Sequence, residues 1–232
     1  MTFSLHGVAV SRGIAIGRAH IIERDEIIVS EYTIAPDAVT GEVERLKAAI
    51  QQAESQLHRV RDQLPSTRGV DVGAFIDIHL MMLGDETLFE EAAAHIKQQR
   101  CNAEWGLKLQ RDELVGAFED MEDPYLRSRK DDIDQVVNRV QRLLLNHAPA
   151  KHEVDPHGIE GMIVIADDLT PADTILMEHN RVAAFVTDSG GPTSHTSILA
   201  RSLGIPGIAG VHDVRRYVRE NELLIVDGNE GV

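Results

Sequence analysis

Residues 188–201 combine glycines, hydroxyl side chains and a histidine in a spacing that could carry phosphoryl chemistry. An apolar run from Val182 to Val186 precedes them, and a helix-like segment from His195 to Leu203 follows and stops at Gly204. A strand, a glycine turn and a helix in this order place His195 in the first helical turn. Backbone N–H groups and the helix dipole favour an anion there. The pattern therefore has two interpretations, an imidazole placed to accept a phosphoryl group and a loop histidine after an ordinary turn.

Glycines and polar side chains around this histidine are candidate phosphate ligands: Gly190, Gly191, Thr193, Ser194, Thr196 and Arg201. The glycines let the backbone approach phosphate oxygens, and the hydroxyls add hydrogen-bond donors. Arg201 has two interpretations, because its guanidinium could bind an anion or pair with an Asp or Glu.

Two other chemistries are disfavoured by spacing. A serine hydrolase built on Ser194 and His195 lacks a G-x-S-x-G elbow, and adjacent helical side chains diverge. A zinc site at His179, His195 and His212 would need ligands that are widely separated and belong to no paired motif. We therefore expect no metal ligands in this chain.

Composition excludes several classes of partner. A formal net charge of −15 disfavours nucleic acid, whose phosphates require Lys and Arg, and suits a basic protein partner. The single Cys101 cannot form an internal disulfide, which is typical of a reducing compartment. The sequence has neither a leader pattern nor an apolar run long enough to cross a bilayer, so we expect a cytoplasmic protein without membrane contact.

The spacing of apolar residues divides the chain into regions with strand patterns and a region with helix patterns. Residues 5–34, including Ile27 to Val29, are predicted to form short strands with glycine turns. From Gly161 onwards the sequence predicts alternating strands and helices. Between them, apolar residues spaced three and four apart predict a long helix that Pro65 ends: Val43, Leu46, Ile50, Ala53, Leu57, Val60 and Leu64.

Further helices are predicted after that proline. Residues 71–83 and 85–98 are helix-like and break around Gly84, and Asn102 is a candidate cap for the next helix. Pro124 is a start signal, and a last stripe follows it: Ile133, Val137, Val140 and Leu144. These stripes favour an intramolecular bundle over a coiled-coil dimer, because helical partners lie within the same chain.

The simplest architecture is an α/β domain of residues 1–35 and 150–232 with a bundle of about four helices, residues 36–149, inserted between them. The residues alone leave open whether the two outer segments share a sheet.

Three stretches carry a resemblance to a known family: residues 190–206, Gly7-x-x-x-Ser11-x-Gly13-Ile14-Ala15-x-Gly17 and Asp168-Leu169-Thr170-Pro171. Together with the helical middle they resemble the phosphoenolpyruvate-utilising enzymes. The likeness is closest to the N-terminal half of the phosphoenolpyruvate–protein phosphotransferases, the Enzyme I type of the bacterial phosphotransferase system. Family members usually carry Arg where this chain has Pro192.

The resemblance implies a swivelling-type phosphohistidine domain whose outer segments share one sheet. It implies that His195 is phosphorylated and passes the group to HPr, a small carrier protein, in sugar uptake or its nitrogen-regulatory branch. It also implies that Thr170, otherwise a helix cap, hydrogen-bonds the imidazole. Alternatives are the swivelling domain of a pyruvate phosphate dikinase or phosphoenolpyruvate synthase, and a non-catalytic interaction module.

The resemblance further implies a C-terminal domain that binds phosphoenolpyruvate and magnesium and mediates dimerisation. That domain has no counterpart in these 232 residues. We therefore expect a fragment that holds no cofactor and cannot use phosphoenolpyruvate alone.

An acidic, apolar segment around residues 70–91 is the candidate carrier-binding surface, because no Lys or Arg occurs between Arg68 and Lys97. Aliphatic and methionine side chains beside carboxylates are typical of a transient docking site, although a solvated acidic helix face has the same composition. The resemblance implies that the bundle receives the carrier. The residues predicted to contact it are Asp71, Phe75, Asp77, Ile78, His79 and Met82.

Overall fold

A computed structural model describes residues 3–22, 27–62, 70–127, 129–145, 158–192 and 194–232. The helices and strands follow in this order: β1 (Val8–Ser11), β2 (Ile14–Ile22), α1 (Val39–Asp62), α2 (Val70–Leu83), α3 (Glu86–Gln99), α4 (Ala103–Glu119), α5 (Pro124–Arg127), α6 (Lys130–Leu144), β3 (Ile163–Ala166), α7 (Pro171–His179), β4 (Ala184–Thr187), α8 (His195–Leu203), β5 (Gly207–Ala209), α9 (Val214–Tyr217) and β6 (Leu223–Asp227). Leu64 and Pro65, the predicted end of the first long helix, lie outside the described residues.

The chain forms two compact units. The α/β unit comprises Met1–Asp25, Gln63–Phe75 and Ala150–Val232, and the helical unit comprises Glu26–Asp62 and Ile76–Pro149. The predicted fold class, α/β with an inserted helical region, is confirmed.

One six-stranded sheet in the order β1-β5-β4-β3-β2-β6 organises the α/β unit. Strands β2, β3, β4 and β5 run parallel, whereas β1 and β6 pair antiparallel at the two ends. Ile163 lies between Ala19 of β2 and Ala184 of β4, so the two outer segments of the chain do share one sheet.

The centre of this sheet is buried on both faces. Every residue of β3, β4 and β5 is buried, which explains why these strands read as continuous apolar runs instead of alternating ones. Gly207 lies against the ring of Phe185, and a Cβ there would come within 2.1 Å of a ring carbon. Close packing thus sets the position of β5 beside β4.

The helical unit buries its stripes within one chain. Leu46, Ile50, Ala53 and Leu57 of α1 are buried, and α1 packs on α3, α4 and α6. The predicted stripe of α6 is buried in full. The intramolecular bundle is confirmed, and the stripe of α1 is not left for a coiled-coil partner.

Local structure differs from prediction at three places. Residues 27–29 are not a strand; the segment they begin pairs through one bridge between Thr33 and Cys101. Asn102 holds the N-cap position of α4 without capping it, because its side chain bonds the carbonyl of Ser30 and the amide of Tyr32. Pro124 begins only the short α5, and α6 starts separately at Lys130.

A partly buried ion-pair network joins the helices of this unit. The Arg45 guanidinium donates to both carboxylate oxygens of Glu104 at 2.7 Å and also to Glu42. Glu104 is 4% exposed and accepts a further bond from Asn102. Burial raises the pKa of Glu104, but hydrogen bonds from Arg45, its own backbone and Asn102 outweigh burial and hold the pKa below its ordinary value.

Because the pKa of Glu104 is depressed in the folded state, its stabilising contribution is present above the ordinary carboxyl pKa of about 4.3 and is lost as pH falls through the lower folded value. We expect Glu104→Gln to reduce the free energy of unfolding at neutral pH by about 2 kcal/mol. The variant should also lose part of the acid sensitivity of the wild type. Urea unfolding at neutral and acidic pH measures both effects. Glu119→Gln, at an exposed pair with Lys130, is the control, and equal destabilisation by the two changes would contradict the prediction.

Candidate functional site

The turn that follows β4 is held on both sides by backbone hydrogen bonds. The amides of Asp188 and Ser189 donate to the carbonyls of Ala166 and Asp167, each at 3.0 Å. The amide of Val211 donates to the carbonyl of Thr187, also at 3.0 Å. The turn therefore leaves the sheet between the segments that follow β3 and β5.

Gly190 allows the backbone conformation that this turn requires. Its φ of +94° lies in the region that side chains rarely adopt, so glycine is required there. A Cβ built on the next residue, Gly191, meets no atom within 4 Å. The space beside Gly191 is thus open in the described part of the chain, as a bound oxyanion would require.

Ser194 caps α8, which begins at His195 as predicted. The Ser194 Oγ accepts from the Ser197 amide at 3.2 Å and donates to the Ser197 Oγ at 2.9 Å. The Ser197 hydroxyl then donates to the carbonyl of Gly191 at 2.7 Å. These bonds fold the glycine turn against the first turn of α8, and Gly204 ends the helix in the left-handed conformation, as predicted.

Two of the predicted hydroxyls make hydrogen bonds within the fold. Thr196 is buried, and its hydroxyl donates to the carbonyl of Leu169. The Ser194 proton is directed at Ser197. Both protons thus have acceptors inside the fold, and the amides at the start of the helix are further donors that could meet an anion. The predicted phosphate contacts of these hydroxyls stay predictions. Thr193 and the side chain of His195 lie outside what the structure describes.

Arg201 donates hydrogen bonds to two backbone carbonyls. Its Nη1 donates to the carbonyl of Val10 at 3.2 Å and its Nη2 to the carbonyl of Pro192 at 2.8 Å. Arg201 thus ties α8 to β1 and to the turn itself. Its predicted contact with phosphate stays a prediction.

Thr170 caps α7, as the residues alone indicated. Its amide and hydroxyl both donate to the Asp173 Oδ2, at 2.7 and 2.6 Å, and its Oγ1 accepts from the Asp173 amide. Sequence reasoning missed Asp173, although a Thr followed three residues later by an acidic residue is a capping-box pattern. The predicted bond from Thr170 to the imidazole stays a prediction.

Asp188 is the other residue that sequence reasoning missed. Its carboxylate accepts from the amides of Asp213 and Val214, both at 2.9 Å. A lone Asp at the end of an apolar run gave no signal for this contact, because the donors come from a segment 25 residues further along the chain.

The predicted carrier-binding residues divide between the two faces of α2. Ile76, His79 and Leu83 form the buried stripe; His79 is 4% exposed, and its Nε2 lies 3.5 Å from the Asp132 Oδ1. His79 is therefore a core residue and cannot contact a partner in this conformation. His79 is three residues after Ile76 and four before Leu83, so it lies on the same buried side of the helix.

The outer face of α2 is partly apolar. Met81 is 75% exposed, and Ile78 and Met82 are half-buried beside it. The Asp77 carboxylate accepts two hydrogen bonds from Arg61, at 2.7 and 3.1 Å, so one predicted acidic contact is an ion pair. Phe75 is half-buried, and the side chain of Asp71 is outside the described set.

Within the described ranges, no three His, Cys, Asp or Glu side chains converge as metal ligands. Likewise, none of the described helices combines the length and apolar character that crossing a bilayer requires.

Comparison with protein families gives two matches. Residues 6–129 match the profile described as PEP-utilising enzyme, N-terminal, and residues 158–231 match the PEP-utilising enzyme, mobile domain. The first match alone covers more than half of the chain.

Named relatives and solved structures agree with these profiles. The chain is 43% identical to a phosphoenolpyruvate-protein phosphotransferase of Cupriavidus necator and 36% identical to one of Listeria monocytogenes. All of the chain is aligned in both comparisons, yet it spans only 41% and 40% of the lengths of those proteins.

A solution structure of an Enzyme I protein superposes with a TM-score of 0.83 at 32% identity, covering 99% of this chain and 91% of that one. The N-terminal domain of a nitrogen Enzyme 1 superposes with a TM-score of 0.67 at 23% identity, covering 99% of this chain and 92% of that one, which supports the fold alone. The glycine turn, the helix that starts at a histidine, and the two profiles together identify the chain as a member of the family of PEP-utilising enzymes.

Proposed function

We propose that His195 receives a phosphoryl group that originates from phosphoenolpyruvate and passes it to a histidine on a small carrier protein of the HPr type. The observation that carries this proposal is the glycine turn at Gly190 and Gly191 that leads into a capped helix beginning at His195. The names of the relatives support a phosphotransferase over a dikinase or synthase.

The transfer step needs one lone pair and no net change in protonation. A neutral imidazole nitrogen of His195 attacks phosphorus, an N–P bond forms, and the bond to the departing group breaks. In transfer to the carrier, the histidine of the carrier attacks in the same way and His195 leaves as neutral imidazole. Positioning and charge compensation are therefore the main tasks of the protein.

Backbone amides are the proposed source of that compensation. The first-turn amides of α8 lack intrahelical acceptors by geometry, and the helix dipole adds positive potential. The open space beside Gly191 supports access of phosphate oxygens to this end of the helix. Ser194 and Ser197 hold the amides in place because their hydroxyls bond within the turn.

We further propose that the outer face of α2 binds the carrier through Ile78, Met81 and Met82, with Asp77 at its rim. An exposed methionine beside aliphatics adapts to a partner surface. Charges at the rim are expected to govern the association rate, and the apolar centre the dissociation rate. His79 takes no part, since it is buried.

Mutation of the histidine tests the transfer directly. Labelling from phosphorylated carrier should be abolished in His195→Ala, because the nucleophile is absent, and the wild-type label should be acid-labile and base-stable. His212→Ala is the control, since His212 is exposed on the turn after β5. Undiminished labelling of His195→Ala would contradict the proposal.

The role of Thr170 can be separated from helix capping. Thr170→Val removes both functions and should slow transfer while reducing stability by about 1 kcal/mol. Asp173→Asn weakens the cap but keeps the hydroxyl, so it should lose stability and retain the transfer rate. Single-turnover rates and thermal unfolding of both variants provide the comparison. Equal rate losses in the two variants would mean that Thr170 acts only as a cap.

Placement of the carrier can be tested on two helices. Met81→Asp should weaken carrier binding about tenfold, which corresponds to about 1.4 kcal/mol, because it puts a charge into the apolar centre. Asp77→Lys should weaken binding most at low ionic strength, where screening is least. Asp131→Lys, exposed on α6, is the matched control. Titration of each variant with carrier at two salt concentrations is the measurement, and a larger effect of Asp131→Lys would move the surface to α6.

A further inference from the structure

The carboxylate of Asp188 joins two segments of the α/β unit at the edge where the glycine turn begins. Its Oδ2 accepts from the Asp213 amide and its Oδ1 from the Val214 amide, both at 2.9 Å. Both oxygens are thus bonded to backbone donors in well-formed geometry.

The acceptor is needed because α9 has no cap of its own. Asp213 stands at its N-cap position in the left-handed conformation, with φ 59° and ψ 23°, and its side chain makes no cap bond. First-turn amides have no intrahelical acceptor, so Asp188 supplies one from the turn after β4. Val214 is 2% exposed and belongs to the core of the unit. The Asp188 carboxylate is therefore bonded to a residue whose position is fixed by core packing.

The Ser189 amide and the Thr196 hydroxyl hold the turn and α8 to the segment after β3, whereas the Asp188 carboxylate holds the turn to the segment after β5. The Thr187 hydroxyl donates to the carbonyl of Ser189 at 2.7 Å, and beyond it the turn is braced chiefly by α8 through Ser194, Ser197 and Arg201. Because Gly190 and Gly191 follow Asp188 directly in the chain, a shift of Asp188 would change the path of the turn that leads to the amino end of α8.

We propose that Asp188 is a positioning residue for phosphoryl transfer: its carboxylate, by bonding the Asp213 and Val214 amides, fixes the direction in which the glycine turn leaves β4 and thereby sets His195 for in-line attack. This inference rests on the proposed function of His195. In this proposal Asp188 acts through the turn and not by contact with phosphate or carrier.

In Asp188→Asn, the side-chain NH₂ replaces one carboxylate oxygen and faces a backbone N–H. Two donors then meet, and one of the two hydrogen bonds to the Asp213 and Val214 amides is lost. A misplacement of about 1 Å costs up to about 100-fold in rate. We therefore expect Asp188→Asn to lower the maximal transfer rate from phosphorylated carrier between about 10- and 100-fold. The KM for the carrier should not change, because the proposed docking residues lie on α2.

The experiment compares wild type, Asp188→Asn, Asp188→Glu and Asp213→Asn. Asp213→Asn is the matched control, because Asn tolerates the left-handed conformation and keeps the amide that Asp188 accepts from. Single-turnover transfer, the ¹⁵N shifts of the His195 ring and thermal unfolding are measured at a temperature where circular dichroism reports every variant folded.

Support for the proposal is a rate loss at constant KM with altered His195 ring shifts in Asp188→Asn, and wild-type behaviour of Asp213→Asn. Asp188→Glu keeps both oxygens one methylene further out, so it should transfer at an intermediate rate. If Asp188→Asn does not fold, the test rests on Asp188→Glu. A wild-type transfer rate and wild-type His195 ring shifts in Asp188→Glu would then overturn the proposal.

Parental kinetics in a folded Asp188→Asn likewise overturn it. Absence of label on His195 in the wild type would instead refute the proposed function, so the two failures are distinguishable.

Discussion

Backbone hydrogen bonding at the centre of the sheet is the constraint on which the site depends. Strands β3, β4 and β5 are buried on both faces, so their N–H and C=O groups must be paired with neighbouring strands. This requirement joins β2 to β3 across more than 130 positions of sequence. It also brings the carboxyl ends of β3, β4 and β5 together, and the turn after β4 is held between its neighbours by the bonds of Asp188, Ser189 and Val211.

The polar side chains near the turn mostly serve the turn itself. Ser194 and Ser197 bond each other and Gly191, Arg201 bonds two backbone carbonyls, and Thr196 bonds Leu169. In the proposed function, backbone amides are the donors that meet the phosphoryl group. This division suits the proposed phosphoryl transfer, since rigid donors need no reorganisation when charge develops. A hydroxyl that is already hydrogen-bonded keeps the amides in place without competing for phosphate.

The sequence predicted those features of the fold that depend on neighbouring residues in the chain. The stripes of α1 and α6, the start of α8 at His195 and its end at Gly204 follow from periodicity and helix-terminus preferences. Features set by distant segments could not be predicted. Asn102 has the right type and position for a cap, yet contacts with the segment at Ser30 and Tyr32 take its side chain. His79 was predicted to contact the carrier because it lies in an acidic segment, but its place on the stripe of Ile76 and Leu83 buries it. The short α9 was missed because four residues carry no periodicity.

The most direct measurement of the central claim is the location of the phosphoryl group in protein phosphorylated by the carrier. Proteolysis at neutral to basic pH, followed by fragmentation mass spectrometry that preserves N–P bonds, identifies the modified residue. We expect the phosphoryl group on His195 alone, within the peptide that contains the glycine turn and α8. A phosphoryl group on His179 or His212, or none in that peptide, would contradict the claim that this helix start is the phosphoryl acceptor.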